Sequence, residues 1–125
     1  MDSNKILINN KKFNRTSKLD FIDIGGSTGG SFNFMKKKFK YDNGLAVDID
    51  PRKVEKAIQN NVPMIRLDAT NMELFQDNSC YTISMMHFLE HLPNKDLAEK
   101  VLKESIRVAS DNIFVRGPMF SIDYL

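Results

Sequence analysis

The stretch Phe21-Ile22-Asp23-Ile24-Gly25-Gly26-Ser27-Thr28-Gly29-Gly30 decides the fold. Its first half completes an apolar run from Leu19 to Ile24, the length of a buried strand. Its second half is rich in glycine, which lets a backbone turn sharply and approach a ligand closely. A helix is predicted from about Gly30 to Phe39, because Phe32, Met35 and Phe39 recur three and four residues apart. Strand, glycine turn and helix in that order leave helical N–H groups facing the mouth of the turn.

The same alternation repeats downstream. Leu45–Ile49 reads as a second strand, and Asp50-Pro51 starts a helix with aspartate as N-cap and proline at the first helical position. Val54, Ala57 and Ile58 are its expected inner face. Pro63–Leu67 and Tyr81–Met86 read as third and fourth strands. Pro93-Asn94 opens a helix whose stripe is expected to hold Leu97, Ala98, Val101, Leu102, Ile106 and Ala109. Asn112–Arg116 is a fifth strand, stopped by Gly117-Pro118. Such alternation predicts an α/β fold with a doubly wound, mostly parallel sheet and helices on both faces. Sheets of this kind bind ligands at the carboxyl ends of their strands, where the strand order reverses.

With 125 residues the chain suffices for one domain core and not for two. Residues 1–18 are polar apart from Ile6-Leu7-Ile8 and are read as an arm or short hairpin; residues 19–125 form the core. The charged fraction, 27 %, is that of an ordinary globular protein. A net charge of +2 gives no argument for nucleic acid. Lys36, Lys37, Lys38 and Lys40 are read as a solvated helix face. No apolar run spans a bilayer, no secretory signal is visible, and one cysteine permits no internal disulfide. A cytoplasmic protein without membrane contact is expected.

Asp48 lies 23 positions after Gly25 (48 minus 25), close to the ~20-residue spacing at which an acidic residue accepts ribose hydroxyls. The pair of features points to a ligand containing a nucleoside. The dinucleotide fingerprint would fall on Gly25, Ser27 and Gly30, with serine at the point of pyrophosphate approach. Asp23, just upstream, would repel a pyrophosphate but stabilise a cationic amino group or sulfonium. The sign of that charge favours S-adenosylmethionine.

Taken together, Phe21–Gly30, Leu45–Pro51 (LAVDIDP), Met64–Thr70 (MIRLDAT), Tyr81–Met86 (YTISMM) and His87–Pro93 (HFLEHLP) resemble the class I (Rossmann-like) S-adenosylmethionine-dependent methyltransferases. The resemblance covers roughly residues 19–120 and implies the strand order 3-2-1-4-5. The family's acidic-x-Gly-x-Gly-x-Gly turn lands on Asp23, Gly25, Ser27 and Gly29, with serine in place of the middle glycine. It implies that Asp23 and the turn, Gly26 included, hold the methionine end of S-adenosyl-L-methionine. Asp48 would take the ribose, Ile49 would pack on the adenine, Asp68 and Ala69 would meet the adenine amino group, and Met86 would line the pocket.

Each assignment has a local competitor. Asp23 could shape the turn through an Asx-type bond, Asp68 could cap the loop after the third strand, and Asp50 reads as a helix cap. Candidates for a general base are His87, Glu90 and His91, which could instead form structural hydrogen bonds. The same three lack further partners for a metal. Cys80 reads as a small buried hydrophobe. Met86-His87-Phe88-Leu89 stands where base and glutamine N-methyltransferases carry an Asn/Asp-Pro-Pro-aromatic run. That branch is not expected, and Glu90-His91-Leu92-Pro93 is more like branches acting on small molecules, which implies a small-molecule acceptor. The family's sheet continues past the fifth strand, so the chain reads as truncated there. Its edge is then expected to be covered by a second copy or a partner chain, or the domain is a minimal cofactor binder. Competing functions are a non-catalytic S-adenosylmethionine or S-adenosylhomocysteine binder and a nicotinamide oxidoreductase.

Overall fold

The computed structural model describes residues 5–8, 11–14 and 18–117, the first two segments for their backbone alone. The expected arm, residues 1–18, lies in part outside the described residues, as does the stretch after Gly117. Within it, β1 (Lys5–Ile8) and β2 (Lys11–Asn14) pair antiparallel.

From Leu19 the chain alternates as its pattern dictates. In order come β3 (Leu19–Ile24), α1 (Gly30–Phe39), β4 (Gly44–Asp48), α2 (Pro51–Gln59), β5 (Met64–Arg66), β6 (Cys80–Met86), α3 (Lys95–Val108) and β7 (Ala109–Arg116). The last five-strand sheet is entirely parallel with order β5-β4-β3-β6-β7. Numbered from β3, that is 3-2-1-4-5. The chain runs outward from β3 through β4 to β5, then crosses to β6 on the other side of β3. The order therefore reverses between β3 and β6, where a ligand crevice opens in folds of this kind.

Two apolar layers hold the sheet. On one face Phe21, Ala46 and Met64 pack with Phe32 and Met35 of α1 and Ala57 of α2. On the other, Ile22, Ile24, Leu45, Val47, Ile83 and Met85 pack with Ala98 and Val101 of α3. Strand residues with apolar neighbours on both faces leave no alternation to read, which is why these strands appear in sequence as continuous runs. Gly44 is tightly enclosed: a Cβ there would stand 2.3 Å from the Phe21 ring.

Capping follows local chemistry. Asp50 is the N-cap of α2 and accepts from the Arg52 N–H at 2.9 Å, with Pro51 next in line. Asn94 caps α3 by accepting from the Leu97 N–H at 3.0 Å. α1 ends at Lys40, whose left-handed backbone (φ 56°) turns its N–H onto the Lys36 carbonyl. Its lysines 36–38 are exposed in the last turn, where positive charge meets the helix's negative pole.

Two helix faces differ from expectation. Ile58 of α2 is 39 % exposed, and the buried contact is made by Ala57 with half-buried Val54. In α3 the buried stripe is Ala98, Val101, Ser105 and Val108, while Ile106 is 66 % exposed. Ala109 has already left the helix and begins β7. Ser105 occupies the inner face because its hydroxyl donates to the Val101 carbonyl at 2.7 Å, which removes the cost of burying it. β7 is an edge strand among the described residues. No described helix is long and apolar enough to cross a membrane.

Candidate functional site

The glycine turn after β3 is closed by its own backbone. Gly25 (φ 70°) and Gly26 donate to the Val47 carbonyl at 2.9 and 3.1 Å, and Gly29 (φ 111°) donates to the Gly26 carbonyl at 2.9 Å. The Ser27 N–H turns instead to Asp48 Oδ2, at 3.0 Å, from a left-handed backbone with φ 52°. Four N–H groups of the turn are thereby spent within the protein. A pyrophosphate would need such donors free.

Asp48 closes β4 and is nearly buried. Besides Ser27, it accepts from the Asp50 N–H at 2.9 Å through Oδ1. An ionised carboxylate has about four acceptor positions, so two bonds leave it able to take hydroxyl donors as well. Asp68, after β5, accepts from the Thr70 N–H and Thr70 hydroxyl at 2.9 and 2.8 Å. The loop cap weighed for this position is present, in the form of an Asx turn that fixes the carboxylate beside the sheet.

Between them lies a cavity of about 120 Å³ at the carboxyl ends of the strands. Gly25, Asp48, Ile49, Asp68 and Ala69, all singled out from sequence, line it together with Ile24, Leu67, Thr70, Phe88 and Leu92. Two carboxylates and apolar walls suit a flat group that carries N–H or O–H donors. The volume is close to the ~150 Å³ of a cavity that takes one aromatic ring, and below the ~300–1,000 Å³ of pockets that enclose larger ligands. The Phe88 ring stands over Gly25, where a Cβ would lie 2.4 Å from Cδ1.

The remaining candidates lie elsewhere. Asp23, expected at a ligand's cationic end, is fully buried beneath the turn. Its Oδ1 accepts from the Ser84 hydroxyl at 2.7 Å and its Oδ2 from the Ser31 hydroxyl. Burial pushes its pKa up to about 6, opposed in part by those two hydroxyls. These bonds tie β3, β6 and α1 together and are not the Asx turn considered for it. Gly26 is buried, with Asp23 Oδ2 and Met64 against the position a Cβ would take. Met86, expected to line the pocket, is half-buried against the other apolar layer.

The loop after β6 brings His87 and Glu90 together, with Nδ1 3.5 Å from Oε2. His87 has a left-handed backbone (φ 56°), and its N–H reaches the Arg116 carbonyl at 2.6 Å. His91 ends the short 3-10 turn Leu89–His91 and is exposed. Cys80 is buried and its thiol is pushed up to about 12 by burial, so it behaves as an apolar side chain. Among the described residues no group of three or more His, Cys, Asp or Glu side chains could hold a metal ion.

A family model described as a methyltransferase domain matches residues 21–112. The chain belongs to that methyltransferase family. Its fold is similar to a SAM-dependent methyltransferase of Methanosarcina mazei, with TM-score 0.64 and 22 % identity over 74 % of this chain and 48 % of that one. A Pyrococcus horikoshii protein gives TM-score 0.63 and 22 % identity over 76 % and 46 %. An S-adenosylmethionine-dependent methyltransferase of Clostridium acetobutylicum gives TM-score 0.59 and 17 % identity over 69 % and 36 %. At these identities the likeness is one of fold. The chain spans about half the length, or less, of these structures. A search of curated proteins found no match.

Sequence reasoning missed the aromatic side of the cavity, Phe88, and its apolar wall at Leu67 and Leu92. It also missed both hydroxyls on Asp23. Ser84 carried a readable signal: it is a polar residue inside an apolar strand, and it stands beside Asp23 in register. Buried hydroxyls require partners.

Proposed function

We propose that the domain binds S-adenosyl-L-methionine at this cavity and supports methyl transfer to a small-molecule acceptor. The observation that carries the reading is the cavity at the switch point, rimmed by Asp48 and Asp68, walled by apolar residues and lined, among the described residues, by no cationic side chain. Acidic acceptors suit ribose hydroxyls and an exocyclic amine and oppose a phosphate. The internally spent N–H groups of the turn likewise disfavour a dinucleotide, the ligand of the oxidoreductase alternative.

In this reading Asp48 holds the ribose, and Asp68 with the backbone at Ala69 meets the adenine amino group. Ile49, 58 % exposed at the cavity lip, covers the base. Gly25 allows close approach to the turn, while Gly26 leaves room for Met64 and Asp23 beneath it. When bound, S-adenosylmethionine supplies an electrophilic methyl group on a sulfonium. The protein's task is then to orient the acceptor and keep water out, which can provide most of the acceleration. Asp23 contributes from below by fixing the turn. His87 and Glu90, paired in the loop that also carries Phe88 of the cavity wall, can hold a proton lost by the acceptor, His87 at its half-exposed imidazole.

Incubation with methyl-labelled S-adenosylmethionine and a fractionated cell extract tests the acceptor class. Label is expected in the low-molecular-weight fraction. Label in protein or RNA alone would overturn the small-molecule assignment. Tight binding without transfer to any fraction would favour the non-catalytic alternative.

A further inference from the structure

The segment from Asp68 to Ser79 has no regular secondary structure, yet it supplies one wall of the cavity. Something other than a ladder must hold it. Met72 and Phe75 plug into the core and are fully buried. Of their main-chain groups the Phe75 N–H donates to the Met72 carbonyl within the loop, and α3 provides partners for the other three.

Arg107, in the last turn of α3, spends all five guanidinium donors. Nε donates to Glu104 Oε1 at 2.9 Å. Nη1 donates to the Phe75 carbonyl at 2.8 Å and to Asp77 Oδ1 at 3.0 Å. Nη2 donates to the Met72 carbonyl at 2.9 Å and to Glu104 Oε2 at 3.1 Å. Glu104 completes the clasp by accepting from the Met72 N–H at 2.7 Å. Both main-chain groups of Met72 are thus held from one helix. Two residues earlier, Thr70 holds the Asp68 carboxylate through its N–H and hydroxyl. Thr70 also lies in the walls of both the cavity and the open groove over Arg107.

We infer that Arg107 and Glu104 are positioning residues that fix Asp68 and Ala69 in the cavity wall and so set selectivity for an aminopurine over its oxo counterpart. The inference rests on the proposed cofactor reading. Its physical basis is the planar five-donor fork, which a lysine ammonium cannot reproduce. A loosened clasp leaves the Asp68–Thr70 turn intact as a local motif but free to shift against the sheet. Contacts made by Asp48 from β4 are untouched by that shift.

The test compares S-adenosylhomocysteine with S-inosylhomocysteine, which carries an oxo group in place of the adenine amine, by calorimetric titration of wild type and Arg107→Lys. Wild type is expected to prefer the adenosyl ligand by about ten-fold or more, the worth of one directed hydrogen bond. In Arg107→Lys the preference is expected to collapse toward one. A merely structural role lowers both affinities together, so an unchanged ratio overturns the inference. If Arg107→Lys loses its cooperative unfolding transition, Glu104→Gln decides by the same ratio. Wild type that binds both ligands equally leaves the cofactor reading standing and overturns this one. Wild type that binds neither overturns both.

Discussion

Asp23 illustrates how one residue can serve a site without entering it. Its carboxyl, raised to about 6 by burial, gains from the Ser31 and Ser84 hydroxyls less than it loses in hydration. The native state therefore holds this proton more tightly than the unfolded chain, whose value is 3.8. Stability from this group is fully present below the unfolded value and falls as pH rises through about 6. The total is on the order of 3 kcal/mol. Urea unfolding of wild type and Asp23→Asn should show this as a difference: the variant gains on wild type between about pH 4 and 6, with no further change above. A constant difference across that range would contradict the assignment. Gly25 offers a second check. Alanine there meets both the φ of 70° and the Phe88 ring at 2.4 Å. Gly25→Ala is expected to lower stability by about 1–2 kcal/mol from backbone strain alone, read from denaturant midpoints.

At the scale of elements, α3 carries the most separate duties. Asn94 starts it, its inner stripe closes one apolar layer, and Arg107 at its end clasps the loop after β5. Asn94→Ala is expected to cost about 1 kcal/mol in thermal or urea unfolding, the usual worth of a side-chain N-cap. The start of this helix was legible from Pro93-Asn94, and α1 was legible to the residue because glycine and aromatic spacing agree. The stripe was misread at Ile106 because apolar character was taken to decide burial. Ser105, bonded to the Val101 carbonyl, is buried instead, and a helical pattern of hydrophobicity carries no sign of such back-bonding. β5 is shorter than read, since Pro63 and Leu67 flank the paired residues Met64–Arg66.

For the molecule as a whole, the parallel sheet followed from alternation, because right-handed crossovers leave few topologies, while the strand order 3-2-1-4-5 came from the resemblance and is the order observed. Asp48 was legible from its offset to the glycine turn and ends β4, whereas Asp68, two residues past β5, was indicated by the resemblance alone. What was hidden depends on contacts between distant parts of the chain. The Phe88 ring reaches Gly25 across 63 positions (88 minus 25), and Arg107 reaches Met72 across 35. No local pattern announces either. The close packing that joins the two layers is equally non-local: Gly44→Ala, pressed on the Phe21 ring, is expected to destabilise by about 1–3 kcal/mol in denaturant unfolding. Calorimetric titration with S-adenosylmethionine and S-adenosylhomocysteine tests whether the rim of Asp48 and Asp68 forms a nucleoside-cofactor site. Micromolar binding of at least one is expected, weakened about ten-fold or more in Asp48→Asn by loss of a charged acceptor. No binding of either ligand by a chain that unfolds cooperatively would contradict it.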